Sequence, residues 1–411
     1  MSSFPRDRIS IAPMLGITND YQRYFVRLMT KRATLYTEMF VDETVLHHPA
    51  CDRLVHFDKS EHPIIAQLGG SNKYKLLEAA RILEKAGYDE INLNCGCPSP
   101  RVSKGCFGAR MMLSPWRVYD IVQYLQRNLS IPVTVKCRLG VDDHDSYDEL
   151  VRFIHIVSGD AARAGETPLG SASDDEVIDE PARGSSPVAS TITSSASSVI
   201  PASCAAQQDA IQLGCRHFII HARKCLLEGL SVKENRSVPP LRYDWVFRLL
   251  DDFPALDFSL NGGVVNLGVA QELLDRRSAG GRQLRGVMIG RMLSKAPWLL
   301  HYVDQFFYGE RNPPCDRYEA IMKYIDFCEE MQRGEFAPAF SPNEYLKPLF
   351  NVFVNTPGGG AYRREIFLGV NNGKSLREAV EHGLKFVSSD LLHDKAEGDI
   401  ARIYEYEVPK D

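Results

Sequence analysis

No stretch of the 411-residue sequence approaches the roughly 18 uninterrupted apolar residues that a membrane-spanning helix needs, so a membrane protein of that kind is not expected. Met1–Arg8 reads as neither a secretory signal nor a long basic transit segment, and a strand is expected from Ile9. Cysteines at metal-site spacing are missing as well. Cys95-Gly96-Cys97 and Cys106 lack the two-residue spacing and a nearby second pair, so no metal is expected. Ten cysteines, irregularly placed, imply free thiols in a reducing compartment, the cytosol, with the nucleus as the alternative. No Gly-x-Gly-x-x-Gly turn follows the first strand, where Ala12-Pro13-Met14-Leu15-Gly16 stands instead, which argues against an open doubly wound sheet. Nor is there a large excess of one charge. The net of −5 speaks at first against a nucleic-acid partner, but residues 160–209 hold eight acids and two bases, a net of −6, which leaves about +1 for the rest.

What is present is a rhythm. Short apolar β-branched runs at Ile9–Met14, Thr34–Met39, Pro63–Gly69, Tyr88–Asn94, Pro132–Leu139, Cys215–Ala222, Leu256–Asn261 and Arg285–Arg291 read as strands. Amphipathic stretches, including Lys73–Ala86, Pro115–Asn128, Asp145–Ile156, Tyr243–Asp252, Leu267–Arg276 and Ala296–Tyr308, lie between them. Eight β/α steps with strands apolar on both faces predict an α/β fold, a parallel (β/α)8 TIM barrel over residues 1–310. Ser171–Ser203, with ten serines, is expected to be a disordered insertion within 160–209, at the barrel's N-terminal face and away from the chemistry. After about Pro313 the strands stop. Tyr318–Gln332, Asn343–Phe353 and Ser375–Ser388 read as helices, with Gly358-Gly359-Gly360 as a break, so 311–411 is expected to form a small helical domain.

Functional groups in such barrels sit at the C-terminal ends of the strands. Those ends carry Pro13-Met14, Gln67, Asn94 with the Cys97 loop, Lys136-Cys137-Arg138, His221-Ala222-Arg223-Lys224, Asn261-Gly262-Gly263 and Gly290-Arg291. Four cations, an amide and a thiol converging on one mouth are hard to explain as packing. The last two loops, with glycine amides open to an anion, form a candidate phosphate cradle. His221 and Lys136 face the same ligand from neighbouring strands, and a phosphate joined to a flat polar ring suggests flavin mononucleotide (FMN), with Gln67 bonding the ring edge. Cys97, in a Gly/Pro loop, reads as a proton donor or a nucleophile. Cys95 reads as structural.

With these residues in view, the chain resembles the tRNA-dihydrouridine synthases over Ile9 to about Phe307, and more loosely beyond. The carriers are Ala12-Pro13-Met14, Leu35–Met39, Gln67–Gly70, Asp89–Asn94 running into Gly96–Ser99, Pro132–Lys136, Ile219–Lys224, Leu230–Arg236, Asn261–Gly263 and Gly290-Arg291. Lys233-Glu234-Asn235-Arg236 favours the A-type subfamily, which modifies positions 20 and 20a of the D-loop. The resemblance implies an FMN site at Ala12, Pro13, Met14, Gln67, Lys136, His221, Asn261, Gly262, Gly263, Gly290 and Arg291, with NADPH as reductant. It implies that Cys97 is the proton donor to uracil C5 while hydride goes from flavin to C6, and that Asn94, Arg138 and Arg223 meet the target uridine. Lys224, Lys233, Arg236, Arg363 and Arg364 are then candidate tRNA phosphate contacts. Gly16-Ile17 departs from the subfamily's usual Asp-Trp, and Cys95 and Cys137 from its Val and Thr. No obligate protein partner is evident and a monomer is expected. The alternative reading is an FMN barrel reductase of the dihydroorotate dehydrogenase kind, acting on a free pyrimidine. A tRNA-binding folding factor without turnover is the reading from another class.

Overall fold

Eight strands were expected from apolar runs, and eight are found. The computed structural model describes residues 7–167, 213–334 and 342–394. Strands β1 (Ile9–Ile11), β2 (Thr34–Val41), β3 (Ile64–Gly69), β4 (Glu90–Cys95), β5 (Val133–Arg138), β6 (His217–His221), β7 (Asp257–Asn261) and β8 (Gly286–Ile289) follow one another in a closed barrel. Every neighbouring pair is parallel, and β1 closes the ring against β8 with Ser10 opposite Met288. β3 and β6 are buried along their whole length. Helices cover one face and side chains fill the other, which is why those segments lack the alternation of a half-exposed strand.

The helices begin and end where the chain supplies caps. The Asn72 side chain accepts from Tyr74 and Lys75 at the start of Lys73–Ala86, and Gly87 ends that helix at φ +103°. Ser146 and Glu149 form a reciprocal capping box on Tyr147–Val157. The stretch expected as one helix over Ala296–Tyr308 is a 3-10 segment, Pro297–Tyr302, running into a short helix, Val303–Tyr308. The Ser-rich segment Ser171–Ser203 lies outside the described residues. Of the 160–209 span, Asp160–Arg163 is a short helix, and the N–H of Cys215 donates to the Val157 carbonyl at 2.9 Å, so the flanks meet at the N-terminal end of the barrel. No described helix is long and apolar enough to cross a membrane.

Beyond the barrel, Arg317–Arg333 packs on the Asp20–Met29 helix through aromatic rings. Tyr24 stacks on Phe327 with centroids 3.8 Å apart, and Phe25 meets Tyr324 edge-on at 5.1 Å. Gly358–Gly360 does not separate helices as expected. It starts one, Gly359–Asn371, because Gly358 holds φ +82° and a Cβ on Gly359 would lie 1.9 Å from the Phe353 carbonyl oxygen. Asn343–Phe353 is likewise broken: Pro342–Leu346 is helical, Lys347–Leu349 is a 3-10 turn and irregular turns follow.

Candidate active site

The barrel interior carries a line of amides. Gln67, Asn92 and Thr134 stand in register on three adjacent strands. Gln67 Nε2 donates to Asn92 Oδ1 (2.8 Å), Asn92 Nδ2 to Thr134 Oγ1 (2.9 Å), and Thr134 Oγ1 to Glu90 (2.5 Å). One layer up, Asn94 Nδ2 donates to Gln67 Oε1 at 2.7 Å. These side chains are almost fully buried, so leaving any of them unpaired would cost about 1–3 kcal/mol. Asn92 was not singled out from the sequence. Its signal was the Asn92-Leu93-Asn94 alternation, which points both amides to one side of a strand.

Asn94 also shapes the cysteine loop. Its Oδ1 accepts from the N–H groups of Gly96 (3.1 Å) and Cys97 (3.0 Å), and the Cys97 carbonyl accepts from Ala109 N–H at 3.0 Å. Arg138 holds the same loop from β5: Nε donates to the Gly96 carbonyl (3.1 Å), and one terminal nitrogen donates to the carbonyls of Lys224 (3.1 Å) and Asn235 (2.8 Å). Asn235, fully buried, in turn bonds the Leu226 N–H and carbonyl, each at 2.8 Å. It too escaped notice as a single residue, because its partners lie on a loop of no regular pattern.

Cys97 is half-buried beside these cations. Burial pushes its thiol above the ordinary value, against the opposing pull of the Ser99 amide and then of Arg138, Lys136 and Arg236. A thiol that stays protonated near neutral pH is an acid rather than a ready nucleophile. The same cations would stabilise the thiolate it leaves behind.

Lys136 projects from β5 with no protein acceptor among the described residues; burial, then the Arg138 charge, lowers its ammonium to about 8. His221 ends β6 and is pushed well below its ordinary value by burial, then by Arg138, Lys136, Arg223 and Arg236. Its imidazole is therefore neutral. Gly262 (φ +108°) and Gly263 (φ +73°) follow β7 in the left-handed region; a Cβ on Gly262 would lie 2.7 Å from the His221 ring, and one on Gly263 2.3 Å from the Tyr243 hydroxyl oxygen. Neither glycine amide has a protein acceptor among the described residues. Tyr243, another residue not foreseen, braces this turn by donating to the Gly262 carbonyl at 2.8 Å. Asn261 Nδ2 donates to the Met288 carbonyl (2.9 Å), and the Ala12 N–H donates to the Ile289 carbonyl (2.8 Å), which ties the ends of β1, β7 and β8. Met14, bonded through its N–H to Thr18, and Pro13 line the same end, and a Cβ on Gly290 would lie 3.8 Å from Ala12 Cβ and Met14 Sδ.

The remaining candidates divide. Arg223 is buried and donates to the carbonyls of Ser237 and Pro239, so it braces the 231–240 loop. Lys224 is paired with Asp145 at 3.2 Å. Arg236 and Arg291 lie at the mouth, where Arg291 donates to the Arg236 carbonyl at 3.4 Å. Lys233 is exposed on the rim. Arg363 and Arg364 are not in the mouth at all but on the Gly359–Asn371 helix.

The mouth thus presents glycine amides, an ammonium without a protein acceptor among the described residues, a neutral imidazole and an amide with spare bonding capacity, the donor set an anionic ligand with a polar ring requires. Cys97, with its thiol kept protonated by burial, stands near Arg138, Lys136 and Arg236.

A family model described as dihydrouridine synthase matches residues 10–164 and 200–387. Among curated proteins, the tRNA-dihydrouridine(20/20a) synthase of Vibrio vulnificus is 35% identical over 384 residues, 93% of this chain and 98% of that one. The proteins of the same name from Shewanella oneidensis (36% over 386 residues, 93% and 95% covered) and Escherichia coli (35% over 386 residues, 94% and 97% covered) are similarly close.

Proposed function

The chain belongs to the dihydrouridine synthase family, and from that premise we propose that it reduces uridine to 5,6-dihydrouridine in tRNA, at position 20, 20a or both. The observation that carries the reading is the Cys97 thiol, kept protonated by burial, close to Lys136, which has no protein acceptor among the described residues, and to Arg138, which is held by backbone carbonyls.

The residues fit FMN. Gly262, Gly263, Gly290 and Arg291 would hold its phosphate, Lys136 and Gln67 its polar ring edge, and Ala12, Pro13, Met14, His221 and Asn261 would frame it. When bound and reduced by NADPH, FMN supplies hydride to uracil C6. This chain's residues do the rest. As negative charge grows towards O4, Lys136 and Arg138 stabilise it in a site that excludes water. Cys97 Sγ–H then gives its proton to C5, the S–H bond breaks as the C–H bond forms, and the thiolate is held by the neighbouring cations until solvent reprotonates it. Asn94 and Arg138 hold the loop so that the thiol faces the base. The uridine must leave its stack to reach the mouth, at a cost of a few kcal/mol that phosphate contacts elsewhere must offset. Arg236 and the exposed Lys233 stand on the rim for that purpose. The nine described cysteines are all free thiols, which suits a cytoplasmic enzyme.

The test is reduction of unmodified tRNA by the FMN-loaded protein with NADPH, with dihydrouridines mapped by mass. Dihydrouridine at D-loop positions 20 and 20a is expected. Turnover of a free pyrimidine with none in tRNA would favour the small-substrate reductase instead.

A further inference from the structure

The Gly359–Asn371 helix has two faces. Tyr362, Ile366, Gly369 and Val370 are buried, and a Cβ on Gly369 would lie 2.7 Å from Ala379 in the neighbouring Leu376–Leu384 helix. The other face carries Gly360, Arg363, Arg364 and Phe367, spaced i, i+3, i+4, i+7. That is the spacing of a stripe that meets a partner. All four are exposed, Phe367 by 43%. With Phe350 they line a groove of about 380 Å³.

The groove is built from two kinds of group. Phe350 and Phe367 stand with ring centroids 6.3 Å apart, tilted by 59°. The Arg363 guanidinium lies 5.5 Å from the Phe350 ring and bonds Asn351 Oδ1 at 3.3 Å; Arg364 reaches Glu365 at 3.0 Å and is otherwise exposed. The wall that holds Phe350 is tied to the barrel's active end. Lys347 Nζ donates to the Gly16 carbonyl after β1 (3.1 Å), and Asn351 Nδ2 donates to the Ser294 carbonyl after β8 (2.6 Å). The volume sits at the small end of ligand sites, about 300–1,000 Å³, too little for a helix or strand. Aromatic faces beside guanidinium groups suit a flat base attached to a phosphodiester.

We propose that this groove takes one unpaired nucleotide of the RNA substrate, distinct from the nucleotide that is reduced, with the base against Phe367 and Phe350 and the phosphate against Arg363. The inference rests on the reading of tRNA as substrate.

The FMN-loaded full chain is tested for tRNA affinity across a salt series, with thermal stability and kcat at saturating tRNA. Gly360→Leu adds a side chain where a Cβ meets nothing within 4 Å, and it replaces a helical glycine, so the melting temperature should hold or rise. Its tRNA affinity should nevertheless fall, because the groove is filled. Phe367→Ala should weaken binding about tenfold with the salt slope unchanged, since stacking releases no counterions. Arg363→Gln should weaken binding and reduce the slope of log K against log salt by about 0.7–0.9. In all three, kcat should stay at the wild-type value. Affinities of Gly360→Leu and Phe367→Ala within about twofold of wild type would overturn the proposal, including the case in which the groove serves an acidic peptide instead. A fall in kcat at unchanged affinity would overturn it equally. If wild type itself does not bind tRNA, the functional reading fails and takes this inference with it.

Discussion

The two ends of the barrel are built from the same eight strands and treat charge in opposite ways. At the N-terminal end Arg285, Asp7, Asp257 and His217 form one mutually paired cluster. Arg285 Nε donates to both oxygens of Asp7 (2.9 Å each) and a terminal nitrogen donates to Asp257 (2.5 Å). His217 lies 2.8 Å from Ser259 Oγ and 3.4 Å from Asp7. At the C-terminal end, Arg138 and Arg223 are held by backbone carbonyls, Lys136 by no protein acceptor among the described residues, and the charged groups that act most on His221 are all cations. A network that neutralises itself stabilises a fold. One left positive is complete only with an anion, and the mouth is therefore where a ligand belongs.

Substitutions at each end sharpen or break this contrast. The largest effect is expected from Cys97→Ala, which should lower kcat by about 10²–10⁴-fold, the range of a lost general acid, with flavin content and tRNA affinity retained. Dihydrouridine at wild-type levels from that variant would remove the thiol from the chemistry. Because burial raises the Cys97 thiol, wild-type kcat should hold through neutral pH and decline only above the ordinary thiol value of 9.0. A pH–rate profile already falling at pH 7–8 would contradict the assignment.

Lys136→Met should weaken FMN binding by about 10–100-fold, the worth of a charge-assisted contact, read by flavin titration. The same variant should stabilise the flavin-free protein. The lysine titrates near 8 in the fold against an ordinary 10.5, so the unfolded chain binds the proton more tightly. The cost to wild type is thus fully present below about pH 8 and disappears as pH rises to 10.5. The stability difference between variant and wild type should shrink over that window, measured by denaturant unfolding. Arg285→Met, at the opposite end, should do the reverse: lower stability by about 1–2 kcal/mol, a partly exposed pair being worth less than a buried one, with kcat per folded molecule unchanged. Smallest is Tyr243→Phe. Losing one hydrogen bond to Gly262 should weaken FMN by less than about tenfold, on the order of 1 kcal/mol.

The barrel was legible because parallel strands under helices must be apolar on both faces, and such runs stand out at every one of the eight positions. Cys97 and the glycine turns could be singled out in the sequence because strand-end loops carry a barrel's chemistry. The work of Asn94, Arg138 and Arg223 could not. Each was expected to meet substrate, and each also braces a loop around the mouth, through bonds to Gly96, Asn235 and Pro239. Those partners are up to 97 positions away, and no local pattern announces them. Gly358–Gly360 read as a break because glycine disfavours helices, but the carbonyls of Phe353 and Phe386 crowd the turn and require glycine there while the helix proceeds.

By itself, the order of residues determined the strands, the turns between them and the chemical types gathered at one end, because these follow from periodicity and short-range sterics. Only the folded chain decided that Cys97 stays protonated, that Lys136 meets no counter-ion among the described residues and that a basic aromatic groove opens beside the mouth. Burial and long-range charge exist only once distant segments meet, and it is these that turn a list of polar residues into a site.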